Sequence, residues 1–245
     1  MIDRISKIAR NIFATRYPDA LVMFLAGSIV RGESTPYSDL DLVVVFAELP
    51  NAYRESFYFQ DFPIEAFVHD PDTLNYFFDE VDQPSGIPSL AQMVVEGIEV
   101  PEPSDISGSL KRLAGSSLKL GPKELTEKDD RNLRYAITNL INDIREPRSK
   151  DELTATGAEL YESLANYFLR SNKLWSAEGK SIPRILKQAN PELCLRYIES
   201  FDKLFVEGQP MKVITLAEEI LLVHGGPLFD GHRLNAPAEY RKPLF

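Results

Sequence analysis

The sequence predicts an α+β protein, a sheet domain with flanking helices followed by an all-α helical bundle, and three observations carry that prediction. Apolar runs of strand length or strand alternation, at residues 20–26, 40–47 and 62–68, all lie before residue 70. Beyond residue 130, apolar residues recur mostly three or four apart, the spacing of one helix face. Between the two regimes, residues 101–109 hold Pro101, Pro103, Gly108 and a polar run, the clearest linker signal in the chain. Domains are therefore expected at 1–104 and 105–245.

Taken in order, residues 2–16 place Ile2, Ile5, Ile8, Ala9, Ile12 and Phe13 on one face of an amphipathic helix that would pack on the sheet. Tyr17-Pro18-Asp19 breaks it, and the first strand follows at 20–26. Residues 29–33 read as a short helix behind Gly27-Ser28, ending near Gly32, with 34–37 a loop. The second strand spans 40–47. After a turn at Pro50-Asn51, a third runs over 62–68, where Phe62, Ile64, Ala66 and Val68 alternate with Pro63, Glu65 and Phe67. Residues 71–100 join a Pro-Asp start to a helical pattern through Leu90, Met93, Val94 and Ile98, and close the first domain. In the second, Leu133 to Ile144, Leu153 to Phe168 and Leu204 to Leu221 carry apolar residues at helical spacing. The tail from residue 224, rich in Gly and Pro, is expected to wrap the surface without forming a further domain.

Composition narrows the function. With 44% hydrophobic and 26% charged residues, the 245-residue chain resembles soluble globular proteins and is long enough for two cores. Its single cysteine, Cys194, excludes an internal disulfide and a cysteine-built zinc site, and three scattered histidines supply no substitute. No stretch approaches the roughly eighteen apolar residues of a membrane span, and the N-terminal residues show no uninterrupted apolar core before a cleavage site. A cytoplasmic setting with no membrane partner is expected. The net charge of −10 disfavours nucleic acid as partner, since a long polynucleotide is held mainly by phosphate neutralisation. The same sign suits a cationic small molecule, although a solvated acidic surface is the commoner explanation.

The chemistry concentrates in residues 21–46, LVMFLAGSIVRGESTPYSDLDLVVVF. Gly27 permits the backbone geometry of a turn that hugs a ligand. Ser28 adds a hydroxyl beside backbone N–H groups at the start of the expected short helix, a place for a phosphate. Alone, a Gly-Ser turn after a strand is usually only a turn. After a ten-residue spacer come Asp39 and Asp41. Side chains alternate along a strand, so carboxylates at i and i+2 share a face and can share one cation. Half-buried acids beside an apolar strand are costly unless a metal or hydrogen bonds satisfy them.

The order and register of Gly27-Ser28, Arg31-Gly32 and Ser38-Asp39-Leu40-Asp41-Leu42 resemble the signature of the nucleotidyltransferase superfamily. That superfamily includes DNA polymerase beta, the aminoglycoside nucleotidyltransferases and the minimal nucleotidyltransferases of toxin–antitoxin pairs. The resemblance implies a mixed sheet, a third acid on the next strand, and an antiparallel helical bundle with the active site in a cleft between the two domains. Ile64-Glu65-Ala66-Phe67-Val68 looks like the corresponding segment of the streptomycin and spectinomycin adenylyltransferases, which makes Glu65 the expected third acid. On the residues alone a single strand carboxylate more often faces solvent, and Asp61 and Asp70 stand as alternatives. His69, with no partner visible in the sequence, reads as structural.

In the second domain, Gly179-Lys180-Ser181-Ile182-Pro183-Arg184 is similar to the region where the antibiotic adenylyltransferase bundle supplies phosphate-binding cations. Arg170, Lys180 and Arg184 are then nucleotide-binding candidates; the plainer reading is cations on solvated helix faces. The implied activity is transfer of a nucleoside monophosphate, AMP from ATP or another NTP, to a hydroxyl of a small-molecule, aminoglycoside-like acceptor. Two Mg²⁺ ions would be bridged by Asp39 and Asp41, with Gly27, Ser28 and Ser38 on the phosphates. The polymerase likeness implies that Glu65 is a third metal ligand, the adenylyltransferase likeness that it is the general base. A protein target, as for the toxin-pair enzymes, and a nucleotide sensor without turnover are the competing readings. The intact acids argue against the sensor, because a charged triad repels itself without metal.

Overall fold

Among the residues that the computed structural model describes, 2–242, five strands form one sheet: β1 (Val22–Ala26), β2 (Leu40–Val45), β3 (Tyr53–Phe59), β4 (Phe62–His69) and β5 (Ile98–Val100). They lie in the order β3-β4-β2-β1-β5. The β2–β4 pair is parallel and the other three pairs are antiparallel, so the sheet is mixed. Helices follow, as the α+β class requires.

The two faces of the sheet are covered by different helices, and the strand period assigns each residue to one of them. Helix α1 (Ile2–Arg16) sets Ile5, Ile8, Ala9 and Ile12 against Met23, Leu25, Leu42, Val44, Ile64, Ala66 and Val68. Helix α2 (Pro71–Phe77) runs through a wider π-helical turn, Phe78–Asp82, into the short α3 (Gln83–Ser85) and on to α4 (Ser89–Glu96). Leu74, Phe78, Leu90, Ala91 and Val94 from this stretch cover Val22, Phe24, Val43 and Val45 on the other face. With both faces covered, β1 and the part of β2 after Asp41 read in sequence as unbroken apolar runs.

Several expectations are corrected. Residues 29–33 do not form a helix. Glycines with positive φ stand at both ends, Gly27 at +79° and Gly32 at +72°, and the bonds between them follow no single period. Arg31 N donates to Gly27 O (3.4 Å), Gly32 N to Ile29 O (3.2 Å) and Glu33 N to Ser28 O (2.8 Å). The phosphate argument at Ser28 therefore rests on its own hydroxyl and peptide, not on a helix end. Strand β3 had no counterpart in the sequence reading; a tight turn with Gln60 (φ 48°) and Asp61 (φ 67°) folds it back on β4. Asp61 is thus a turn residue.

The polar run at 104–109 is the start of α5 (Asp105–Leu120) rather than a linker. The Ser104 side chain accepts from Ser107 N (3.1 Å) while Ser107 Oγ accepts from Ser104 N (2.8 Å), a capping box that turns polar residues into a helix start. Leu110 and Ala114 then join the core over Phe24, and Lys111 Nζ donates to Gly97 O (2.7 Å). By contacts the chain divides into two compact units at Lys123/Glu124, with α5 in the first.

The second unit holds α6 (Glu127–Arg145), α7 (Lys150–Ser171), α8 (Ile182–Ala189), α9 (Pro191–Glu207) and α10 (Met211–Leu222) around a core that includes Ile137, Ile141, Leu160, Leu164, Tyr197, Phe201 and Leu221. Its tail lies along α6: Arg134 Nε donates to Gly226 O (2.9 Å), Leu228 N to Thr138 Oγ1 (2.9 Å) and Arg131 Nη2 to Gly231 O (2.9 Å). Residues 243–245 of that tail lie outside the described residues. Among the described residues, no helix is long and apolar enough to cross a membrane.

Candidate active site

Strand pairing assembles the site. Asp41, on β2, stands in register between Ala26 of β1 and Glu65 of β4. Register partners on neighbouring strands project to the same face, so the parallel β2–β4 pair brings the Asp41 and Glu65 carboxylates together. Asp39 enters two residues earlier, just before β2 begins. One oxygen from each of Asp39, Asp41 and Glu65 lies within 4.8 Å of the others, and all three residues are half-buried. This is the only such acidic, His or Cys group among the described residues.

The donor set fits a hard divalent cation. Mg²⁺ prefers oxygen ligands at about 2.1 Å, which puts ligands of one ion about 3–4 Å apart, within reach of carboxylate oxygens that lie inside 4.8 Å of one another. The Gly-Ser turn abuts the group directly. A Cβ built on Gly27 would lie 1.8 Å from Asp41 Oδ2, so only a glycine lets the backbone approach this carboxylate. Ser28, next in the turn, is half-buried.

The loop leading into Asp39 is held by its own side chains. Ser38 Oγ accepts from Thr35 N (2.9 Å) and Ser38 N donates to Thr35 O (3.0 Å), so Ser38 braces the loop that delivers Asp39 to β2. The Arg31 of the motif ties its turn to α4 through an ion pair with Glu96 and also bonds Glu33 (3.0 Å). Both roles are positional.

The alternative acids are placed elsewhere. Asp70 caps α2, accepting from Thr73 N (2.8 Å) and from Leu49 N (2.9 Å). Its burial would raise its affinity for a proton, but these donated bonds outweigh burial and hold it below the usual carboxylate range. His69 is buried, 4.9 Å from the Phe77 ring, and burial lowers it to about 4, so it sits neutral in the core.

The three cations of the second unit occupy separate settings. Arg170 is half-buried in the last turn of α7, where burial lowers its proton affinity and the charge of Asp129 opposes that effect. Lys180 is exposed in the one-turn helix Gly179–Ser181. Arg184 is half-buried in the first turn of α8, which opens at Ile182 with Pro183 second rather than first.

One side chain at the acidic group was missed in the sequence. Arg54, on β3, pairs with Glu65 Oε1 and lies over the Phe67 ring at 4.9 Å. The signal that could have found it is a second aromatic run, residues 53–59, in front of the predicted strand with only two residues between. That is hairpin spacing without the usual Asn-Gly or Asp-Gly turn.

Comparison with known proteins bears on the first unit. Residues 6–94 match the family model described as a nucleotidyltransferase domain, a span that holds β1 to β4 and all three acids. At that general level the match supports a nucleotide-transferring enzyme. A solved structure described as a nucleotidyltransferase-like protein from Exiguobacterium sibiricum 255-15 aligns with a TM-score of 0.43 and 13% identity. The alignment covers 89% of this chain and 75% of that one. No curated protein matches significantly.

Proposed function

We propose, with the nucleotidyltransferase domain of residues 6–94 as premise, that the chain transfers a nucleoside monophosphate, AMP from ATP, to a hydroxyl of a small-molecule acceptor. The observation that carries this reading is the convergence of Asp39, Asp41 and Glu65 beside the Gly27 turn. Mg²⁺, when bound there, would neutralise phosphate charge and favour the attacking and leaving oxygens. Asp39, just before β2, and Asp41, on it, would hold it as oxygen donors. The Gly27-Ser28 turn offers peptide N–H groups and a hydroxyl to the phosphates, and the Ser38 hydroxyl adds a further polar group.

In the transfer, the acceptor oxygen bonds to the α-phosphorus, the bond to pyrophosphate breaks, and the acceptor proton leaves. Glu65 either takes that proton as general base or completes the ligand set. The two roles separate experimentally. Glu65→Gln, assayed by pyrophosphate release, is expected to lower kcat by about 100-fold with nucleotide affinity unchanged by calorimetry if it is the base. Weakened Mn²⁺ binding in the same variant would assign it to the metal.

Arg170, Lys180 and Arg184 are proposed as nucleotide-phosphate contacts on the strength of the sequence pattern alone. Lys180→Ala is expected to raise the apparent KM for ATP about tenfold with kcat little changed, because uniform binding is lost. An unchanged KM would make it a solvated surface charge.

The acceptor class is proposed as a small, cationic, aminoglycoside-like alcohol, which the net charge of −10 suits. Pyrophosphate release with ATP, Mg²⁺ and a panel of amino sugars, neutral alcohols and candidate proteins tests it. Release only with a protein acceptor would replace the small-molecule reading. Tight nucleotide binding with no release from any acceptor would replace the transferase.

A further inference from the structure

We infer that Arg54 is a positioning residue for the metal site, holding the Glu65 carboxylate in the orientation that serves Asp39 and Asp41; this rests on the metal-site reading above. On the β3–β4 ladder Ser56 stands opposite Glu65 and Arg54 opposite Phe67. Arg54 is therefore the diagonal neighbour of Glu65 on the face that carries the acids, within reach of a long side chain. Two contacts hold its guanidinium: the carbon lies 4.9 Å from the Phe67 ring centroid, and Nη2 donates to Glu65 Oε1. A planar, delocalised fork stacked on an aromatic ring is pre-organised in a way that an ammonium group is not.

The pair does little for stability. The Arg54 side chain is 60% exposed, and an ion pair so open to water is screened to almost nothing in folding terms. Its consequence is geometric. With Oε1 engaged, one orientation of the Glu65 carboxylate is favoured over the others, and Oε2 is left for a second partner. Asp41 needs no such brace, because Gly27 packs directly on it. Glu65 has its brace on the neighbouring edge strand. Partners that orient a ligating carboxylate typically matter by about 10- to 100-fold in metal affinity or activity.

The test is a titration of the full chain with Mn²⁺ alone, following free Mn²⁺ by electron paramagnetic resonance, on the parent, Arg54→Ala, Arg54→Lys and Asp39→Asn/Asp41→Asn. The expected result is that the parent binds, the Asp variant does not, and Arg54→Ala binds about tenfold more weakly. Arg54→Lys should fall between, since it keeps the charge without the fork. In steady-state assays Arg54→Ala should lose kcat while KM for ATP holds.

If Arg54→Ala binds Mn²⁺ as tightly as the parent, or more tightly, Arg54 is no more than a nearby cation and the inference is overturned while the metal site stands. If the parent takes up no Mn²⁺, the metal-site reading and this inference fall together. Circular dichroism melts accompany each variant; should Arg54→Ala lose its fold, the Arg54→Lys difference decides.

Discussion

Replacing Asp39 and Asp41 by Asn is expected to abolish nucleotidyl transfer, by at least about 1,000-fold, in a protein that melts no earlier than its parent. The size follows from what the pair is asked to do. Charge stabilisation by a bound divalent cation is worth several kcal/mol, and each 1.4 kcal/mol is about tenfold in rate. Asn keeps the shape of Asp and removes its charge, so the donor set loses two of its three carboxylates while the β1–β2 pairing is untouched. Stability should hold or rise, because three carboxylate oxygens within 4.8 Å repel each other in the metal-free protein. Pyrophosphate release and a thermal melt on the same sample check both halves. A double variant with the parent's rate would remove the metal-site assignment outright.

Gly27→Ala is expected to be the next most damaging change, lowering kcat by about 100-fold although it removes no functional group. Two effects coincide. The backbone there has φ of +79°, which costs a residue with a Cβ about 1–3 kcal/mol. The new Cβ would also lie 1.8 Å from Asp41 Oδ2 and 2.7 Å from its Cγ, so something must move. The turn cannot slide away, because Ala26 is paired with Asp41 and Leu25 with the fully buried Leu42. The carboxylate yields instead, and displacement of about 1 Å at a reacting centre costs about 100-fold.

Gly32→Ala is the control. It carries a similar backbone penalty, with φ of +72°, but a Cβ there meets nothing within 4 Å. It should melt lower with its activity retained. Equal rates for parent and Gly27→Ala would mean that the turn only connects two strands.

The site was legible in the sequence where its residues are close along the chain. Asp39 and Asp41 sit two apart on a strand approach, and Gly27-Ser28 ends the preceding strand, so local order and period place them. Glu65 required the family resemblance, because a single acid in an alternating strand carries no local mark of function. Arg54 was not legible. In β3, Tyr53, Glu55, Phe57 and Phe59 alternate with Arg54, Ser56 and Tyr58, and neither set is cleanly apolar. An edge strand that is largely exposed has little burial to impose a pattern. The helical start of α5 was hidden for a different reason, since serines that cap a helix look like serines in a loop.

The sequence by itself determined the α+β order of elements, the shared face of Asp39 and Asp41, the glycine turn before them and the helical second unit. Each of these follows from periodicities of 2 and 3.6 residues, which any chain segment carries within itself. Tertiary structure alone decided that Glu65 aligns with Asp41, that Gly27 packs on the Asp41 carboxylate, that Arg54 reaches Glu65, and that α5 completes the first core. Those are contacts between strands and helices distant in sequence. They are selected by which pairing buries the most apolar surface on both faces of the sheet, a sum over the whole unit that no single segment records.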